Sequence, residues 1–310
     1  MTQTIFALDF GTTKFCLAKL YEENLSQQPV VQTVSVRAQG MRRGMVEDFL
    51  EAKKALLLLL EKAEEEMNCE VEEVTIGVAG SHITSRFVRT STLLANEQVN
   101  EKHLNFLKEC VKKEFFVEDK EIIHTIPVKF KVDSRDWVDT PLEMSGEKIS
   151  ANHFIIDANK NYLVDIIKLC NSCGLKIKNI FAEPWASSMI TVSEEAKQRG
   201  VLIADIGGGT TDGIIYVNGK PVRTFTINIG GHLMSNDLAL GLGVSLSEAE
   251  RLKLAIGLPL VISNQSWSAT NLHKQPLNIR SLDILRILKP RIIELGQLLE
   301  NEIRPFNRLL

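Results

Sequence analysis

Two short stretches have side chains and spacing suited to phosphate chemistry: Asp9-Phe10-Gly11-Thr12-Thr13-Lys14 and Asp205-Ile206-Gly207-Gly208-Gly209-Thr210-Thr211-Asp212. Each follows an apolar run that reads as a buried strand, residues 5–8 and 201–204, and each leads into another apolar run. Each is therefore read as a tight hairpin turn. Glycine admits positive φ and lets the backbone come close to a ligand. Successive amide N–H groups in such a turn form a concavity for anions, and threonine hydroxyls add donors. An aspartate at the entry of each turn, Asp9 and Asp205, can hold a divalent cation through water, as Mg²⁺ sites prefer. Taken singly, either turn is also an ordinary hairpin. The repeat of strand, Asp-x-Gly and Thr points to a nucleotide clamped between two similar half-domains.

The rest of the chain sets limits on that chemistry. Its 310 residues, 44% hydrophobic and 24% charged, suffice for a large core and suggest two domains. A net charge of −3 gives no global attraction to nucleic acid, so none is expected as a partner. The first residues lack the basic n-region of a secretory signal. The leucine run 56–60 lies among charged residues in a helix-like segment, is too short to span a bilayer, and is expected to face the core. Five cysteines fit reduced thiols. Cys170 and Cys173 have redox spacing but read as small buried apolar residues, and no zinc pattern joins the cysteines and the six histidines.

The elements that must position the two turns can be read in outline. Strands are expected through the first turn and at 30–36, a long helix at 47–68, and a strand at 74–79 ending at Gly80. Residues 81–155 interrupt this plan with a charged helix near 100–114 and extended segments at 122–133 and 148–154, a small α+β insertion. A strand at 154–157, a helix at 160–172, a strand at 177–180 and a helix opened by Glu183-Pro184 follow. After the second turn come strands at 213–217 and 221–228, then Gly230-Gly231 and helices from about 233 and over 246–256. Residues 264–275 read as a polar loop. From Ser281 onward the apolar spacing is helical, with Pro290 as a break point and Leu288, Ile292, Leu295, Leu299 and Ile303 as a stripe. Core packing is preferred for that stripe over a membrane surface, because Glu294, Glu300 and Glu302 interrupt its basic residues.

With its two turns, the chain resembles the actin-type ATPase superfamily, which includes actin, chaperone ATPases and sugar kinases. Further segments resemble the bacterial cell-division family FtsA: Gly44-Met45-Val46-Glu47-Asp48, Gly80-Ser81-His82-Ile83, Pro141-Leu142-Glu143-Met144-Ser145-Gly146, Glu183-Pro184-Trp185-Ala186-Ser187, and Ser235-Asn236-Asp237-Leu238 after Gly230-Gly231. The resemblance implies an α/β, actin-like (ribonuclease H-like) two-domain ATPase fold with an FtsA-type inserted α+β subdomain. Residues 1–80 and 156–192 would form the first core subdomain and 81–155 the insert. Residues 193–235 would belong to an incomplete second core subdomain, and 236–310 to an incomplete final one.

The resemblance also implies ATP and Mg²⁺ as cofactors. Asp9 and Asp205 would approach Mg²⁺ through water. Gly11, Thr12, Thr13, Lys14, Gly207, Gly208, Gly209, Thr210, Thr211, Gly230 and Gly231 would line the nucleotide. Glu250 and Lys253 match a ribose-contacting Ala-Glu-x-x-Lys pattern, and equally read as a solvated i,i+3 ion pair. Glu183 would orient or deprotonate attacking water, or else is a helix-start carboxylate favoured by the macrodipole; His82 reads as structural. ATP hydrolysis is expected to be weak at most. Partners implied are the tubulin-like division protein FtsZ, other division proteins and further copies of the chain in filaments. The family's membrane helix would place the full protein on the cytoplasmic face of the inner membrane at midcell. A third glycine pair after Gly231 and that amphipathic helix are absent from these 310 residues, so the chain reads as truncated, with apolar residues such as Ile303, Phe306 and Leu309 exposed at its end. A sugar kinase, or a pilus- or chaperone-type actin homologue serving as a binding module, are the alternatives.

Overall fold

A computed structural model describes residues 4–21, 29–95, 97–115, 117–257 and 265–306. It divides into two compact units, one built from Met1–Asp205 and Asp212–Thr226, the other from Ile206–Thr211 and Ile227–Leu309. Leu309 and the other residues of 307–310 lie outside the described residues.

The first unit opens with β1 (Ile5–Phe10), β2 (Lys14–Tyr21) and β3 (Val30–Arg37), an antiparallel meander in which Phe10 pairs with Phe15 at the first turn. β1 is not a fully buried strand: Leu8 and Phe10 are buried while Ile5 on its other face is 39% exposed. The short strands β4 (Met41–Arg42) and β5 (Met45–Val46) lead to α1 (Phe49–Met67). Asp48 caps that helix, its carboxylate accepting from the amides of Leu50 and Glu51. Ala52, Leu56, Leu59, Ala63 and Met67 recur at helical spacing and are buried. The 3.6-residue period also turns Leu57 and Leu58 outward, 44% and 55% exposed, so only part of the leucine run joins the core. β6 (Glu73–Val78) then lies parallel beside β1.

The insertion is a three-stranded antiparallel sheet with one helix. It comprises β7 (Ile83–Leu93), α2 (Glu101–Glu114), β8 (Lys120–Val132) and β9 (Lys148–Asn159), in the sheet order β7-β9-β8. β9 runs unbroken from the insertion into the main core. Ile149 and Ala151 pack with Leu107 of α2 and Phe130 of β8, whereas Phe154, Ile156 and Ala158 join the core of β1, β2 and α1. α3 (Lys160–Ser172) and β10 (Lys176–Ala182) follow, completing a sheet of order β10-β6-β1-β2-β3. α4 (Glu183–Thr191) and α5 (Glu194–Arg199) lead to β11 (Val201–Ile206), β12 (Thr211–Val217) and β13 (Lys220–Ile227). β11 is only half-buried at 201–204, while every residue of β12 is buried.

The second unit holds the second turn and α6 (Gly231–Leu242), α7 (Leu246–Ile256), β14 (Ser266–Thr270), β15 (Pro276–Arg280) and α8 (Ser281–Ile303). The polar stretch expected as a loop is a hairpin from Ser266 onward, with Trp267 opposite Ile279 and Ala269 opposite Leu277. Its composition hides a two-residue alternation, and Asn271 closes the turn by accepting from the amides of His273 and Gln275. α8 continues through Pro290 rather than breaking there. Its stripe packs inward as expected: Leu288 and Leu295 are buried, with Ile284 beside them. Ile303 and Phe306, expected to be open, are half-buried.

Candidate functional site

In the first unit, carboxylates from distant parts of the sequence converge at the first turn. Asp9 ends β1, Glu183 begins α4, Asp205 lies near the end of β11 and Asp212 is the second residue of β12. A hydrogen bond joins Asp9 and Glu183. Burial raises the Asp9 pKa against the opposing charge of Lys14, and the Asp205 carboxylate adds to the rise. Burial likewise pushes Glu183 well above the carboxylate range, and the charges of Asp9, Asp212 and Asp205 push the same way. Of the two carboxyls, Glu183 is raised the more strongly.

Glu183 is the first residue of α4, as a helix-start carboxylate would be, and it also packs against the sheet. Its side chain lies against Gly77 on β6, where a Cβ would come 2.9 Å from Glu183 Oε1. His124 on β8 sets the start of its helix: the Nε2 atom accepts from the Ala182 amide at 3.0 Å. Asp212 is anchored in the fold, accepting from the Gly80 amide at 3.1 Å and the Thr226 hydroxyl at 2.6 Å. Asp212 stands in the second motif with no role assigned by its spacing, and nothing in the extended segment 122–133 marks His124 as a partner of Ala182.

The first turn is shaped by close approach, not by left-handed backbone. Gly11 lies outside the positive-φ region, yet a Cβ there would sit 2.7 Å from the Lys14 carbonyl oxygen. Phe10 and Phe15 close the hairpin beneath it with an edge-to-face contact, centroids 5.2 Å apart. The Thr13 carbonyl accepts from the Ala38 amide at 3.0 Å, while Thr13 and Lys14 are exposed and Thr12 is half-buried.

The second unit builds its own cradle around the second turn. The Gly207 amide donates to the Thr210 carbonyl at 2.9 Å, closing the loop on itself. The amides of Gly231 and His232 donate to the carbonyls of Gly207 and Gly208 at 2.9 and 2.8 Å. These are the first orphan donors of α6, so the loop caps that helix. A Cβ at Gly230 would lie 2.6 Å from the Gly208 oxygen and 2.7 Å from that of Gly207, which requires glycine there. Gly230 and Gly231 therefore seat the loop by backbone contact. The buried Thr211 hydroxyl donates to the Ile229 carbonyl at 2.7 Å, so its proton is already placed. Thr210 is buried, and Gly208 and Gly209 are half-buried.

Glu250 and Lys253 form the ion pair that their spacing allows, at 2.7 Å. Lys253 Nζ also donates to the Gly231 carbonyl and the Ser235 hydroxyl, both at 3.0 Å. All three ammonium donors are thereby used. Ser235 in turn donates to Glu250. Burial works to raise the Glu250 pKa, but the hydrogen bonds from Lys253 and Ser235 outweigh it and lower the group. Ser235, which the sequence marks only through the Ser235-Asn236-Asp237-Leu238 resemblance, links α6 to this pair.

The remaining candidates are structural. His82 is buried beside Tyr162, ring centroids 5.0 Å apart, and burial pushes it down to about 4. Burial pushes the Cys170 thiol up to about 12 and raises Cys173, which makes both poor thiolates. Among the described residues no group of three or more His, Cys, Asp or Glu is arranged to hold a metal ion by direct ligation. No described helix is long and apolar enough to cross a membrane.

Comparison with known proteins agrees with this architecture. Residues 80–157 match the family model described as the SHS2 domain inserted in FTSA, and residues 202–275 match that of Cell division protein FtsA. The Cell division protein FtsA of Pseudomonas aeruginosa is 26% identical over 305 residues, covering 97% of this chain and 73% of that protein. Among solved structures, a PilM-PilN type IV pilus biogenesis complex superposes on 99% of this chain and 78% of its own with a TM-score of 0.68 at 16% identity. MreB5 of Spiroplasma citri bound to ADP gives 0.52 over 96% of this chain and 78% of its own at 15% identity. The chain is FtsA-like, and its fold is the actin-like ATPase fold carrying the FtsA-type insert.

Proposed function

We propose that this FtsA-like chain binds ATP with Mg²⁺ and serves bacterial cell division as a nucleotide-dependent assembly and adaptor protein. The observation that carries the reading is the convergence of Asp9, Glu183 and Asp205 at the first turn. The Asp9 and Glu183 carboxyls, raised chiefly by burial and further by neighbouring carboxylate charge, fit a divalent cation, whose charge offsets that repulsion. In this reading Asp9 and Asp205 hold Mg²⁺ through water. Gly11, Thr12, Thr13 and Lys14 bind phosphate oxygens, as do Gly207, Gly208, Gly209, Thr210 and Thr211. Bound Mg²⁺ would supply charge neutralisation at the phosphates. Gly230 and Gly231 support the second loop, and Glu250 with Lys253 sits behind it within reach of a ribose. Glu183 orients water, and a carboxyl raised well above its usual range accords with a slow ATPase at most.

Titration calorimetry with ATP, in Mg²⁺ and in chelator, tests this. The unaltered chain should gain at least about tenfold in affinity from Mg²⁺, about 1.4 kcal/mol, and Asp9→Asn with Asp205→Asn should lose that gain. Equal affinity with and without Mg²⁺ in the unaltered chain would refute the carboxylate assignment. Self-assembly into filaments, recruitment of FtsZ, and attachment to the cytoplasmic face of the inner membrane through the family's amphipathic helix belong to the same proposal. Co-sedimentation with FtsZ polymers checks the second of these. The second reading, a binding module of the pilus type, is favoured by the higher TM-score of the PilM-containing complex. An FtsZ interaction separates the two.

A further inference from the structure

The insert's sheet has one face that is only half covered. Residues directly opposite one another in antiparallel strands share a face. On one side Thr90, Ala151 and Phe130 stand in register, and Ala151 and Phe130 pack with Leu107 of α2. On the other, Phe154 and Ile156 enter the main core. Beyond them on that same face come Arg89, Asn152 and Lys129 in register, then Ser91, Ser150 and Lys131, then Leu93 and Lys148. These outer rows face solvent: Arg89, Lys129 and Lys148 are exposed, and Leu93 is 72% exposed.

Charge on these rows has one sign. Arg89, Lys129, Lys131 and Lys148 carry no ion pair among the described residues, and no carboxylate stands on this face of the outer strands. The flanking acids Asp133 and Asp139 are engaged elsewhere. Asp133 accepts from the amides of Glu147 and Lys148 at 3.0 and 2.9 Å, and Asp139 pairs with Lys220 at 3.1 Å. The Arg89 guanidinium lies under the Trp137 ring at 5.0 Å, which holds its planar fork in place.

We propose that this uncovered sheet face docks an extended acidic segment of a partner protein. Lys129 and Lys131 lie two residues apart on one strand, about 7 Å, which is the spacing of alternate side chains along an extended peptide. A fixed guanidinium fork suits bidentate carboxylate recognition. A membrane surface fits less well, because binding there rests on a larger inserted apolar face than Leu93 and its neighbours provide. Nucleic acid is disfavoured by the chain's net charge of −3.

The test is fluorescence anisotropy of a fluorescein-labelled dodecapeptide of alternating Glu and Thr, titrated with the full chain at low and high salt. Saturable binding that weakens with salt is expected. K129E/K131E should weaken it at least about tenfold, and K102E/K113E on α2 should leave it unchanged, both variants retaining the parent circular dichroism. R89Q provides an intermediate loss. Absence of peptide binding overturns the proposal, as does an equal loss in K102E/K113E. Binding of phosphatidylglycerol vesicles or oligothymidylate through Lys129 and Lys131, with no peptide binding, overturns it in favour of those surfaces. Loss of self-association alone in K129E/K131E overturns it in favour of a second copy of this chain.

Discussion

Acid should loosen the start of α4, and with it Glu183, through His124. The neutral ring accepts from the Ala182 amide at Nε2, so its proton resides on Nδ1. The ring packs between Phe181 and Trp185, with centroids 5.2 and 6.2 Å away. Protonation would set an N–H against an N–H and leave the amide unpaired. Burial pushes the His124 pKa from 6.5 to about 4. The sign follows from linkage: the unfolded ring binds a proton first as pH falls. The stability contributed by the neutral ring is therefore complete above pH 6.5 and is lost as pH falls toward 4.

Between pH 7.5 and 5 the unfolded ring gains nearly one proton and the folded ring about a tenth, a loss of about 2 kcal/mol. Partial exposure of the ring reduces this to roughly 1–2 kcal/mol. His82 and His153 are also pushed to about 4 by burial, so the three together remove several kcal/mol, a large share of a typical domain's ~5–15 kcal/mol. Asp9 and Glu183 act in the opposite sense, since raised carboxylate pKa values cost stability as pH rises. Urea denaturation of the parent and of His124→Gln at several pH values isolates the ring. The glutamine carbonyl can accept from Ala182 and does not titrate. Its stability should fall by roughly 1–2 kcal/mol less than the parent's over that pH interval. An identical fall in both proteins would show that His124 is not the neutral acceptor.

Three further outcomes are expected. Glu183→Gln should raise the melting temperature near and above neutral pH, with no gain near pH 4, because the fold resists ionising the buried carboxyl; a pH-independent effect would contradict the raised Glu183 carboxyl. Gly230→Ala should cost roughly 1–3 kcal/mol, since its methyl would press on the carbonyls of Gly207 and Gly208. Hydrogen exchange at the Gly231 and His232 amides should accelerate in that variant, and parent-like protection would contradict the seating of the loop. Lys253→Met should destabilise the α6–α7 pairing by about 1–3 kcal/mol through three lost hydrogen bonds, measured by denaturant unfolding of the full chain.

What was legible in the sequence was what is local. The two Asp-x-Gly turns and the helical stripe of α8 depend on neighbours a few residues away, and a pattern of types and spacings reports them. The hairpin from Ser266 was missed because serine, threonine and asparagine obscured its alternation. Only Trp267, Ala269, Leu277 and Ile279, which face one another across it, reveal the inward side. The chemistry of Glu183 was legible only as a choice between two roles, because its environment comes from afar. Asp9, His124, Asp205 and Asp212 belong to separate segments, and the Gly80 amide that fixes Asp212 is 132 residues away from it. A spacing rule cannot see that these groups meet, nor that burial and then their mutual charge raise Glu183. The same limit applied to Glu250 and Lys253. Their i,i+3 spacing permits a ribose clamp or an ion pair, and the further partners that hold the pair, Gly231 and Ser235, are supplied by the helix packed against them. Spacing thus points to candidate phosphate- and metal-binding groups, while tertiary packing determines which of their donors and acceptors are already committed.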